Sequence, residues 1–228
     1  MAFVEQRMYT AHPGGKLPAW LKVYKELGSP CSERHLGPLM GGFTTEFGPL
    51  NRFVFFRVYD ELEARDRGMD AREADPQWAE FRAESGKIGA LAQQENKLIV
   101  PVPWSPVQKA AQPFTRTLPG SGMVVDHRTY DFHPGKLAGW LAAYGETGLA
   151  IQKKHLGQFL FMGTTEVGPI NQVIFMWAYE SLGARARQRA AMAADPAWGE
   201  FAKFTGGLGA LKQQTNMIIK PTAFSPIR

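Results

Sequence analysis

Cysteine is almost missing from this 228-residue chain. A single thiol, Cys31, excludes an intrachain disulfide and any cysteine-rich metal site. Long apolar runs are missing too: none approaches the roughly 18 residues that span a bilayer. The opening Met1-Ala2-Phe3-Val4-Glu5 has no basic-then-apolar targeting pattern. Together these absences predict a cytoplasmic protein without a membrane partner. There is no Gly-x-Gly-x-x-Gly before a helix, no phosphate loop, no His-Glu-x-x-His and no Gly-x-Ser-x-Gly, so the common nucleotide, zinc-protease and serine-hydrolase signatures drop out. No nucleic-acid motif and no row of basic–aromatic pairs occurs, so nucleic acid is not an expected partner. No cofactor or metal is expected either, because no haem ligand pair is identifiable and no spacing groups His35 with carboxylates.

What is present is a repeat. Thr44-Thr45-Glu46-Phe47-Gly48-Pro49-Leu50-Asn51 returns as Thr164-Thr165-Glu166-Val167-Gly168-Pro169-Ile170-Asn171, and the match continues on both sides. Gly-Pro is turn punctuation, since proline fixes φ and glycine tolerates positive φ. Apolar runs from Phe53 to Tyr59 and from Val173 to Tyr179 follow, so each copy reads as a tight hairpin. The composition, 44% hydrophobic and 21% charged, is that of a globular protein. Charge divides unevenly, with a net −1 over residues 1–107 and +6 over the remainder. The basic half reads as solvated helix faces rather than an anion-binding surface.

The order of elements is the same in both copies. Phe3, Glu5, Arg7 and Tyr9 share one face of a first strand, with Arg128 and Tyr130 at the matching positions. His12-Pro13-Gly14 and His133-Pro134-Gly135 break it. An amphipathic helix from Lys16 to Leu27 carries Leu17, Trp20, Leu21 and Tyr24, and Gly28 stands where it is expected to stop. After the hairpin an Ala/Arg-rich helix starts near Leu62, and Asp75-Pro76 starts another that carries Trp78 and Phe81. A last strand is expected from Lys97 to Val100. Each copy thus reads β-α-β-β-α-β, an α+β ferredoxin-like unit. The expected division is 1–107 and 121–228, with residues 108–120 as a linker. A single such sheet leaves one face bare, and two could pair those faces into one pseudo-dimeric α/β barrel.

Arg-x-Tyr in the first strand, Pro-Gly-Lys-Leu before the helix of the second copy, Thr-Thr-Glu-x-Gly-Pro-Leu/Ile-Asn in the hairpin, Ala-Asp-Pro-x-Trp and Gln-x-Asn together resemble the NIPSNAP family over almost the whole chain. The resemblance implies a fused dimeric α/β barrel and kinship with cofactor-free monooxygenases, haem-degrading enzymes and isomerases, but no one reaction. Relatives often have His-x-Trp in the third strand. Here Phe55-Phe56-Arg57 and Phe175-Met176-Trp177 stand there, so a role for that histidine is not carried over.

The candidate site residues come in pairs. Arg7/Arg128 and Tyr9/Tyr130, two apart on a strand face, suit binding and polarising a carbonyl or carboxylate, because guanidinium offers a fixed fork and phenol one further donor. His35/His155 are the acid–base candidates, as imidazole titrates nearest neutrality. A helix cap is the structural alternative for them. Glu46/Glu166 and Asn51/Asn171 are substrate-binding candidates, against roles in ion pairing and turn geometry. The expected function is binding of a small organic molecule between helices and sheet, with cofactor-independent oxidation or isomerisation as the chemistry. A non-catalytic scaffold is the rival, and homo-oligomerisation stays open.

Overall fold

The computed structural model describes residues 2–110 and 122–228. Most of the expected linker, 108–120, lies outside them. In the first repeat the order is β1 (Phe3–Ala11), α1 (Lys16–Val23), a π-helical turn (Tyr24–Gly28), α2 (Ser29–Leu36), β2 (Leu39–Phe47), β3 (Arg52–Tyr59), α3 (Leu62–Glu73), α4 (Pro76–Ile88) and β4 (Leu91–Pro101). The second repeats it with β5 (Val124–Phe132), α5 (Leu137–Ala143), a π-turn (Tyr144–Gly148), α6 (Leu149–His155), β6 (Gln158–Val167), β7 (Gln172–Tyr179), α7 (Leu182–Ala194), α8 (Pro196–Gly207) and β8 (Leu211–Pro221).

The strands close in the order β1-β3-β2-β8-β5-β7-β6-β4, every neighbour antiparallel. Each repeat contributes one four-stranded ferredoxin-like sheet, and the seams are β2 with β8 and β4 with β6. Closure removes the exposed sheet edges of the separate halves. The period of two assigns the faces. Val4, Met8, Val54, Phe56, Val125, Ile174, Met176 and Ile219 fill the barrel, while Phe53, Phe55, Val173, Phe175 and Trp177 face the helices. No helix among the described residues is long and apolar enough to cross a membrane.

Two expectations are corrected. Gly28 does not stop the first helix: it is right-handed, at φ −72°, and the helix continues through the π-turn into α2. Its lack of a Cβ is needed for packing, since that atom would stand 2.8 Å from the Tyr24 ring and 3.0 Å from Phe81. The stop is Gly37, at φ 77°. The last strand starts at Leu91, well before Lys97, because the polar run Gln93–Asn96 is paired to β1 although much of it is exposed. Ladder hydrogen bonds, not burial, extend it.

The segment after each repeat crosses to the other. Val102 N–H donates to Met162 O at 3.1 Å and Ser105 Oγ accepts from Met162 N at 3.2 Å. In mirror fashion, Thr222 N–H donates to Gly42 O at 2.9 Å and Ser225 Oγ accepts from Gly42 N at 3.1 Å. Phe224, from the chain's end, packs on Tyr24 and Phe53 of the first repeat. The repeated Ser-Pro motifs therefore tie the two halves together.

Candidate functional site

Between the helices and sheet of the first repeat lies a cavity of about 380 Å³. Trp20, Tyr24, Phe55, Trp78 and Phe81 form aromatic walls, and Glu5, Arg7, Tyr9 and Arg57 come from the outward face of the sheet. Arg72 enters from α3, Ser32 from α2, and Ser85 with Gly86 from α4. The walls are fixed by packing: Trp20 stacks on Tyr24 with centroids 5.1 Å apart, and its indole N–H donates to Ser85 Oγ at 2.7 Å. The π-turn at Tyr24 sets that ring in the wall; such turns often accompany functional sites.

The polar floor is organised by Glu5. Its carboxylate accepts from Arg7 Nη2 at 2.8 Å, Arg65 Nη2 at 2.8 Å and the Tyr59 hydroxyl at 3.2 Å. Burial works to raise its pKa, but the hydrogen bond from Arg65 and the charges of Arg7 and Arg65 hold it below the ordinary carboxylate value. Arg7 Nη1 donates to Tyr9 Oη at 3.0 Å. That bond uses the phenol as acceptor and leaves its O–H free to donate. Burial, then the charge of Glu5, pushes the Tyr59 phenol up; burial does the same to Tyr24.

The second repeat keeps the floor and puts different side chains at the positions that wall the cavity. Asp126 takes the place of Glu5, accepting from Arg185 Nη2 at 2.8 Å and Arg128 Nη1 at 3.3 Å, and Arg128 Nε donates to Tyr130 Oη at 3.1 Å. Where the first repeat has Arg57, Ser32, Arg72 and Arg82, the second has Trp177, Gln152, Met192 and Ala202. Trp177 and Met192 are buried in the aromatic core, and Tyr144 donates to Gln152 Oε1 at 2.6 Å.

The NIPSNAP family profile matches residues 4–106 and again 125–226. The chain belongs to the NIPSNAP family. Among NIPSNAP relatives, the NipSnap homologue of Dictyostelium discoideum is 28% identical over 79% of this chain and 75% of its own length. Human NipSnap homologue 3A is 28% identical over 99% of this chain and 86% of its own. Among solved structures, an anthrone oxidase-like protein superposes with a TM-score of 0.61 over 99% of this chain and 93% of its own, at 13% identity. That likeness shows that this NIPSNAP chain shares the fold.

Not all of the expected site residues of this NIPSNAP protein meet in the cavity. Arg7 and Tyr9 line it. His35 points elsewhere: its Nε2 bonds Asp75 Oδ2 at 2.8 Å, beside Arg34 on the same oxygen at 2.7 Å. Asp75 also caps α4 by accepting from Gln77 N at 2.8 Å. His155 repeats this with Asp195 at 2.7 Å, joined by Lys154 at 2.8 Å. Both histidines thus tie the end of the first helix to the start of the last. Glu46 forms a seam ion pair with Lys220 at 2.9 Å, while Glu166 is exposed and has Val100 where that lysine would be. Asn51 and Asn171 adopt φ 57° and 58° in the hairpin turns, and their carbonyls accept from Ala11 N and Phe132 N. Cys31, His35 and Asp75 place ligand atoms within 4.8 Å of one another, but the Arg34 guanidinium lies on the same carboxylate, where a metal cation would be repelled.

Arg57 and Arg72 are not among the site residues expected from the sequence. A signal for Arg57 existed: it stands where the second repeat has Trp177.

Proposed function

We propose that this NIPSNAP protein binds one small organic molecule per chain, in the helix–sheet cavity of the first repeat. The observation that carries this reading is the asymmetry: the Arg–Tyr pair is kept in both repeats, whereas the first has a cavity of about 380 Å³ and the second has Trp177, Gln152 and Met192 in the corresponding place. The volume is at the small end of the range for organic-ligand pockets. Arg7 and the free O–H of Tyr9 supply polar anchors, and the aromatic walls supply area. Proton abstraction is less well supported. Glu5 is saturated with donors, the Tyr24 and Tyr59 phenols are shifted up, and His35 is held by Asp75. Binding, rather than oxidation or isomerisation, is the reading these groups favour.

Native mass spectrometry of the full chain after incubation with host-cell extract tests it. A Cβ at Gly86, on the cavity rim, or at its counterpart Gly206 meets nothing within 4 Å, so a large side chain can be placed at either without backbone strain. The expected result is one discrete adduct, lost in Gly86→Trp and retained in Gly206→Trp. A bare chain in extract, or an adduct indifferent to Gly86→Trp, would refute the reading; a bound protein in place of the adduct would favour the scaffold.

A further inference from the structure

We infer that the ligand of this cavity is an organic carboxylate with a flat apolar body, and that Arg57 is the residue that receives its charge. The inference rests on the cavity reading above and adds the chemical class. Arg57 is 3% exposed, yet among the described residues no carboxylate lies within 4.0 Å of it. Glu5, its cross-strand partner in the register, is taken up by Arg7, Arg65 and Tyr59. Arg57 donates through Nη1 to Gly37 O and contacts the Tyr24 phenol, and Nη2 has no partner. A guanidinium stays charged, so it cannot relieve its burial by losing a proton. An unpaired buried charge is among the costlier features a fold can carry.

Two further buried donors on the same cavity are also unpartnered: Arg72 Nε and the Trp78 indole N–H. Arg72 is 7% exposed; its Nη2 pairs with Glu73 at 3.1 Å, and its guanidinium carbon lies 3.9 Å from the Trp78 ring centroid. Three residues that line a single aromatic cavity, Arg57, Arg72 and Trp78, each carry an orphaned buried donor, and Arg57 is an uncompensated cation; that set matches a carboxylate. Its two oxygens accept several N–H bonds, and charge-assisted bonds to guanidinium are the stronger kind. The aromatic walls suit an apolar body of one or two rings. The second repeat supports the pairing of charge with space, because Arg57 and Arg72 are replaced there by Trp177 and Met192 together.

Isothermal calorimetry on the full chain tests this with benzoate, phenylacetate and 2-naphthoate, each against its uncharged carboxamide. At least one carboxylate is expected to bind about tenfold or more tighter than its amide. Arg57→Met should weaken the carboxylate by about tenfold more than the amide and so bring the pair close to the same affinity, Arg57→Lys should restore part of the difference, and Gly86→Trp should abolish binding of both. If acid and amide bind equally and Arg57→Met changes neither, while Gly86→Trp still blocks both, the anion inference fails and the cavity reading stands. If no probe binds at millimolar concentration, or Gly86→Trp blocks nothing, the cavity reading fails and takes this inference with it.

Discussion

His127 offers a sharp test of how the barrel interior is built. It lies on the inward face of β5, 2% exposed, with its ring 6.0 Å from Phe56 and its Nε2 unpartnered among the described residues. Burial first, and then the charge of Lys97, lower its pKa from 6.5 to about 4. The sign follows from which state binds more protons. Below pH 6.5 the unfolded chain protonates this imidazole and the folded chain does not, so stability is complete above that value and falls with pH until about 4. By linkage the full loss is about 3 kcal/mol, of which about 2 kcal/mol is reached at pH 5. The perturbation is His127→Gln, which installs the residue that the first repeat carries at Gln6. Urea unfolding would be followed at pH 7.5 and pH 5. With an m-value of about 2 kcal/mol/M, the native midpoint should drop by about 1 M more than that of the variant. Carboxylate titration is common to both proteins and cancels in the difference. Equal drops would mean that His127 is protonated in the fold, and that the barrel interior is wetter than its packing indicates.

Two other perturbations probe the helix layer. Gly68 is buried in α3, and a Cβ there would collide with the backbone carbonyl of His35, so Gly68→Ala should cost about 1–3 kcal/mol in chemical denaturation. Gly199 in α8 has nothing within 4 Å of its Cβ site, so Gly199→Ala should instead stabilise by up to about 1 kcal/mol; like signs for the two would refute the packing argument. Asp75 is shifted down from 3.8 by hydrogen bonds from His35, Arg34 and the Gln77 N–H, so its contribution is complete above about pH 4 and is lost below it. Asp75→Asn should lower the melting temperature at pH 7 but leave cavity binding intact, and weakened binding would return His35 to the site.

The architecture was legible because the same signals occur twice. The Gly-Pro hairpins, the Asp-Pro helix start and the period-two strands each define a local element, and the duplication supplies the partner for the bare sheet face. Gly28 misled because glycine serves two purposes, ending helices and admitting neighbours, and only the approach of Tyr24 and Phe81 tells them apart. The site was half legible. Arg7 and Tyr9 could be placed on one strand face by period alone. His35 could not be placed: it sits at the end of α2, and whether its ring reaches the cavity or Asp75 depends on how α2 packs against α3 and α4. Arg57 was hidden in an apolar run and became visible only when compared with Trp177, whose position it shares.

That comparison explains what covalent duplication makes available. In a dimer of identical repeats, any residue that opens one cavity opens both, and any residue that fills one fills both. Fusion uncouples the two. Trp177 and Met192 add buried apolar area to the second repeat, where burying one large side chain is worth about 2–3 kcal/mol. At the same positions the first repeat holds a charged Arg57 with an unused donor and an Arg72 that pairs with Glu73 but leaves its Nε unused, and unused buried donors weaken the unliganded fold. The seams and the exchanged Ser-Pro segments bind the halves into one closed sheet, so stability gained on the filled side supports the open side. Proteins tolerate a strained or unsatisfied site when the surrounding structure has stability to spare. On this argument the second repeat is not a decayed copy. Its filled core offsets the buried, unpaired guanidinium that the first repeat carries.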